Sequence, residues 1–173
     1  MGKIGFFGGC FNPVTNAHLS LIKDVIFREN LDKVYFVPMG DLYPKKGLIS
    51  LNHRIKMLKI VLENEPQIDI LNISNNDKKM CAIDSFRVIE EIFPEAEKFF
   101  IMGSDNFAKM SKWKNAEELI KNYQYIILDR ENANTKDISS SLVRDKINRG
   151  EDAEELVPKE IIEYIKQNNL YRG

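Results

Sequence analysis

The sequence predicts an α/β fold: a doubly wound parallel sheet of about five to six strands, with helices on both faces and a C-terminal helical segment. Two observations predict it. Short apolar runs ended by glycine or proline alternate with segments whose apolar residues recur at helical spacing. Strands that alternate with helices in this way assemble as parallel sheets covered on both sides. A third observation sets the scale. The chain has 173 residues, without an internal repeat or a Pro/Gly/Ser-rich linker, so residues 1–173 are read as one domain.

Each element has a local reason. Lys3 to Gly8 (KIGFFG) is an apolar run stopped by glycine, a buried strand. Leu19, Ile22, Val25 and Ile26 repeat at helical spacing and predict a helix from near Asn16 to Glu29. Lys33 to Pro38 (KVYFVP) is a second strand, stopped by its proline, and residues 39–49 form a polar loop. Ser50 caps a helix whose apolar face is Leu51, Ile55, Leu58 and Leu62; His53 falls on its surface. Ile68 to Ile73 is a third strand. Ile83, Phe86, Ile89 and Phe93 mark a helix that ends near Pro94, and Lys98 to Met102 is a strand running into Gly103. Asn115 with Glu118 predicts a capping box for a short helix. Tyr123 to Leu128 is another strand. Ser139 to Arg149 is helical with Gly150 as its stop, and Pro158 opens a last helix to about Asn168.

The bulk numbers exclude several classes. Hydrophobic residues make up 43% and charged residues 29%, the balance of an ordinary globular protein. A formal net charge of −1 lacks the basic excess of a nucleic-acid binder, so no nucleic-acid partner is expected. No apolar run approaches a membrane span, and the first residues carry no signal-peptide pattern. Phe6 stands where a myristoylation signal wants Ser or Thr. Cys10 and Cys81 are the only cysteines and form no CxxC. The expectation is a cytoplasmic protein, with a homo-oligomer left open.

The stretch GGCFNPVTNAH, residues 8–18, leaves the carboxyl end of the first strand, where ligands of such sheets bind. Gly8 and Gly9 lack Cβ atoms, so main-chain N–H groups can come close to a ligand. The helix that follows opens with unpaired, partly positive N–H groups. Together they make an anion site. Neither GxGxxG nor GxxxxGK occurs in the chain, which sets aside the dinucleotide fingerprint and the P-loop. Taken alone, two glycines and a histidine read more readily as a tight turn beside a surface helix residue. ISSSLVR, residues 138–144, places three serines at a helix start and Arg144 one turn in. Hydroxyls, N–H groups and a guanidinium fork there suit phosphate oxygens; an ordinary serine cap beside an exposed arginine is the plainer reading.

The two motifs together resemble the nucleotidyltransferase superfamily, which reads GG-x-F-(D/N)-P-x-(H/T)-x-G-H and ISS-x-x-x-R. Thr15 stands at the first histidine position, as in phosphopantetheine adenylyltransferases, and Ala17 replaces the glycine before His18. Further stretches are similar to the nicotinate-nucleotide adenylyltransferase branch: YPKK (43–46) to its PPxK loop, Arg54 with Met57-Leu58 to R-x-x-ML, FIMGSDN (100–106) with the following Trp113, and the ending VPKEIIEYIKQNNLY (157–171). At 80–85 the branch reads SYT-x-D-(T/S), whereas this chain reads MCAIDS. Asp84 and Ser85 keep the pattern; Cys81 and Ala82 replace an aromatic and a hydroxyl.

The resemblance implies a Rossmann-like fold and adenylyl transfer from ATP, with Mg²⁺, to nicotinate mononucleotide. It implies a catalytic set of His18, Thr15 and Arg144. His18 would bond the α-phosphate as charge builds, and Thr15 would support the phosphates. Gly8, Gly9, Cys10 and Phe11 would hold the nucleotide, Gly103 and Asp105 would meet adenosine, and Ser139, Ser140, Ser141 and Arg144 would bind the triphosphate. On the acceptor side it implies Lys46 on phosphate, Trp113 stacked on the pyridine ring, and Cys81, Ala82 and Asp84 beside that ring. No carboxylate cluster calls for a structural metal. The departure at Cys81 and Ala82 keeps two other readings open: a sister enzyme using nicotinamide mononucleotide or phosphopantetheine, and a nucleotide-binding protein without turnover.

Overall fold

A computed structural model describes residues 2–74, 77–129 and 138–173. Five parallel strands form one sheet in the order β3-β2-β1-β4-β5. They are β1 (Lys3–Gly9), β2 (Lys33–Pro38), β3 (Ile68–Ile70), β4 (Glu97–Gly103) and β5 (Gln124–Leu128). The helices are α1 (Asn16–Glu29), α2 (Leu51–Leu62), α3 (Ala82–Ile92), α4 (Ser104–Lys109), α5 (Ala116–Asn122), α6 (Ser140–Asn148) and α7 (Lys159–Gln167), with a 3₁₀ turn at Met110–Lys112.

Strand alternation splits the core into two layers, because successive side chains point to opposite faces. Phe7, Phe36 and Ile101 join one cluster with Ile22 and Val25 of α1, Met57 and Leu58 of α2, and Ile161 and Ile165 of α7. Phe6, Val37 and Phe100 join the other with Ile83, Phe86 and Ile89 of α3 and Leu119 of α5. The paired phenylalanines of KIGFFG thus feed both layers. The expected fold class holds.

Several local expectations change. β3 ends at Ile70 rather than Ile73. α4 and the 3₁₀ turn were not legible. Asn115 takes the N-cap position of α5 at φ 56°, but its side chain makes no cap bond, donating instead to Glu118 Oε2 at 3.2 Å. Pro158 caps α7 rather than opening it. Gly150 has φ +72°, a conformation that suits glycine after a helix end. His53 is not a solvated surface residue. Its Nδ1 lies 2.7 Å from Tyr164 Oη, between α2 and α7.

Candidate active site

The order of the sheet reverses between β1 and β4, and a crevice is expected beyond the strand ends there. A cavity of about 830 Å³ opens at that place. Gly8, Gly9, Cys10 and Phe11 form one wall at the end of β1, Gly103 and Asp105 another at the end of β4, and Ser139, Ser140 and Ser141 a third at the start of α6. Thr15 and His18 line it too. Gly9 has a packing reason beyond loop freedom: a Cβ there would lie 3.0 Å from the Phe11 ring. Phe11 itself adopts φ 48°, uncommon for a residue with a side chain.

The geometry of His18 follows from the cap of α1. Thr15 is the N-cap and is fully buried. Its main-chain N–H donates to His18 Nδ1 at 3.0 Å, its Oγ1 lies 3.0 Å from the same nitrogen, and Oγ1 accepts from His18 N–H at 3.4 Å. A ring nitrogen that accepts carries no proton, so the neutral imidazole is assigned its proton on Nε2. The ring also packs against Phe7 and Phe11, with centroids 6.1 and 5.3 Å away. The Thr15 hydroxyl is engaged by the cap and the His18 ring at the wall of the cavity. The helix start also offers less than expected, because Asn16 N–H donates to Leu156 O at 3.0 Å.

The α6 motif is likewise tied inward. Ser139 Oγ caps α6 by accepting from Leu142 N–H at 3.1 Å, and Ser140 Oγ donates to Pro13 O at 2.7 Å. Arg144 does not line the cavity; its guanidinium donates to Asn12 O at 2.7 Å and to Ser141 Oγ at 3.2 Å. These bonds fasten α6 to the glycine loop.

The acceptor-side residues are more scattered. Tyr43, Pro44 and Lys45 line the cavity, whereas the exposed Lys46 does not. Burial, then the neighbouring Cys10 thiol, pushes the Tyr43 hydroxyl above its ordinary range. A tighter cleft shares Met39 and Tyr43 with the main cavity and runs past Lys78, Lys79 and Met80 toward α3. Asp84 lies farther along, in a recess of about 540 Å³. Its carboxylate accepts from Cys81 N–H at 2.9 Å, at the start of α3. That bond first, then Lys114, Lys78 and Arg87, holds the Asp84 carboxyl below the usual range. Cys81, Ala82 and Trp113 pack against the second core layer and do not line the cavity.

The cytidylyltransferase-like family model matches residues 6–146. A probable nicotinate-nucleotide adenylyltransferase of Carboxydothermus hydrogenoformans is 32% identical over 197 residues, covering 98% of each chain. One of Bacillus licheniformis is 30% identical over 188 residues, covering 99% of each. The chain belongs to the cytidylyltransferase-like family, in its nicotinate-nucleotide adenylyltransferase branch. A solved structure of Plasmodium falciparum nicotinic acid mononucleotide adenylyltransferase complexed with NaAD superposes with TM-score 0.85 at 20% identity, covering 99% of this chain and 98% of that one. At that identity the likeness speaks for the fold.

Within this adenylyltransferase-branch chain, one site residue carried more than its motif announced. Arg54 is fully buried. It donates to the carbonyls of Ile49 (2.9 Å), Cys10 (3.0 Å) and Met39 (2.6 Å), and to Asp41 Oδ1 (3.1 Å). It thereby joins the loops after β1 and β2. The signal was present: Arg54 falls on the apolar face of its helix between Leu51 and Leu58, and a charge on a buried face must be paired.

Proposed function

We propose that this chain transfers the adenylyl group of ATP to nicotinate mononucleotide, releasing pyrophosphate and forming deamido-NAD. The observation that carries the reading is His18, its tautomer set by Thr15, in the same cavity as the glycine loop and the start of α6. An oxygen of the mononucleotide phosphate attacks the α-phosphorus in line. The bond from that phosphorus to the bridging oxygen breaks, and pyrophosphate leaves with the electron pair. No protein nucleophile takes part; the work is positioning and charge stabilisation.

In this reading His18 Nε2–H donates to the α-phosphate as its charge builds. The Gly8–Phe11 backbone and Ser141 hold the triphosphate, with Arg144 at the rim. Gly103 and Asp105 face the adenosine. Mg²⁺ arriving with ATP would supply charge neutralisation for the triphosphate. Among the described residues no group of three His, Cys, Asp or Glu is placed to cage a metal. Lys78 and Lys79 flank the cleft toward α3, which favours an acceptor bearing a carboxylate over a neutral carboxamide. The names of the curated relatives support the same acceptor.

The experiment is His18→Ala. Loss of one transition-state donor lowers kcat by about 10²–10³ while thermal unfolding stays cooperative. Unchanged turnover in a folded variant contradicts the assignment.

A further inference from the structure

Asn12 follows the glycine loop directly and is fully buried. Each of its polar side-chain atoms has a partner. Nδ2 donates to Gly47 O at 2.9 Å. Oδ1 accepts from Ile49 N–H at 3.4 Å and from the Tyr171 hydroxyl at 2.9 Å. Its main-chain oxygen accepts from Arg144. Tyr171 is the third residue from the end of the chain and is held there from both sides. Leu170 before it is buried, and Gly173 N–H after it donates to Asn148 Oδ1 at 3.0 Å. Burial raises the Tyr171 hydroxyl's pKa above the ordinary tyrosine range, so at neutral pH it is a donor.

The hydroxyl helps to fix which way the Asn12 amide faces, together with Gly47 O and Ile49 N–H. With Oδ1 receiving two donors, a flipped amide would set its N–H₂ against both, and Gly47 O would lose its donor. Without the hydroxyl, the Nδ2 bond to Gly47 O and the longer contact from Ile49 N–H still set this orientation, but Oδ1 loses its shorter partner and the amide is held less firmly. Gly47 and Ile49 close the loop that carries Tyr43, Pro44, Lys45 and Lys46, and the first three of these line the cavity. Arg54 holds the other side of that loop through Met39 O and Asp41.

We propose that Tyr171 is a positioning residue: through the Asn12 amide, the end of the chain sets the lysine-bearing loop against the glycine loop. This rests on the adenylyl-transfer reading for its catalytic consequence, though not for the contact itself.

The test is Tyr171→Phe in the full chain, with Tyr164→Phe as control, since the Tyr164 hydroxyl faces His53. Pyrophosphate release is measured while each substrate is varied, and amide exchange is followed over residues 42–50. The expected result is a rise in acceptor KM of about five- to tenfold, the scale of one net hydrogen bond. With it, kcat changes less than about twofold and exchange in 42–50 quickens; the control shows neither change. A purely structural role would lower activity in proportion to lost folded protein, with KM unmoved, and that result overturns the proposal. So does unchanged exchange over 42–50. If the wild-type chain releases no pyrophosphate with any acceptor, the adenylyl-transfer reading fails, and the exchange result alone decides whether Tyr171 holds the loop.

Discussion

Replacing Arg54 by methionine removes the guanidinium while keeping an unbranched apolar stem. Three main-chain carbonyls lose a donor, and the 3.1 Å ion pair with Asp41 goes too. Asp41's side chain is 52% exposed, so that pair contributes little by itself. The carbonyls dominate. A buried acceptor left without a partner costs about 1–3 kcal/mol, and water from the cavity reaches some of the three. The net loss is about 3–5 kcal/mol, the scale of breaking a buried charged network. Set against the roughly 5–15 kcal/mol of a typical domain, the variant still folds. At about 2–4 °C per kcal/mol for a chain of this size, Tm falls by roughly 10 °C. Thermal unfolding measures it, alongside the KM for ATP, which rises because Cys10 O is released from its tether. Arg54→Lys recovers little, since one ammonium cannot span carbonyls held by a planar fork. A Tm within about 2 °C of wild type would refute the view that Arg54 holds the loops.

Three further outcomes are expected. Thr15→Val removes the cap hydroxyl but leaves the main-chain donor to Nδ1, so stability drops about 1 kcal/mol and kcat falls with the KM for ATP unmoved. A raised KM at unchanged Tm would return that hydroxyl to the phosphates. Tyr125, whose hydroxyl donates to Leu119 O at 2.6 Å, is pushed up to about 12 mainly by burial. Unfolded tyrosine ionises near 10, so the stability tied to its neutral form is complete below about 10 and is lost as pH rises toward 12. Tyr125→Phe then shows a shallower loss of Tm across that window, and an unchanged slope would contradict the assignment. Trp113→Ala costs about 2 kcal/mol, below the range for a fully buried aromatic, with little change in acceptor KM; the reverse pattern in melts and kinetics would put the ring at the acceptor.

The residues proposed to hold the nucleotide could be grouped from the sequence because they lie in contiguous stretches. Residues 8–18 leave one strand and enter one helix, so reading order and spatial order coincide, and Gly8 to Phe11, His18, Gly103, Asp105 and the three serines meet at one cavity. Roles within those stretches were less legible. The Thr15 hydroxyl is taken up by the local cap and the His18 ring, and Ser140 turns inward to Pro13 O, a bond that only tertiary packing creates. The acceptor half drew on residues far apart in the chain. Lys45 rather than Lys46 reaches the cavity because Arg54 and Asn12 fix the loop's two sides. Trp113 is half-buried against the second core layer, directly after a 3₁₀ turn that the apolar pattern does not show. β3 was overextended because LNIS continues the apolar alternation after its pairing with β2 has ended at Ile70.

The most direct measurement is pyrophosphate release with ATP and Mg²⁺ against nicotinate mononucleotide, nicotinamide mononucleotide and phosphopantetheine in parallel. The account predicts clear preference for nicotinate mononucleotide, with the cleft beside Lys78 and Lys79 taking the acidic ring. Preference for either other acceptor would contradict the substrate, and silence with all three despite ATP binding would contradict adenylyl transfer itself.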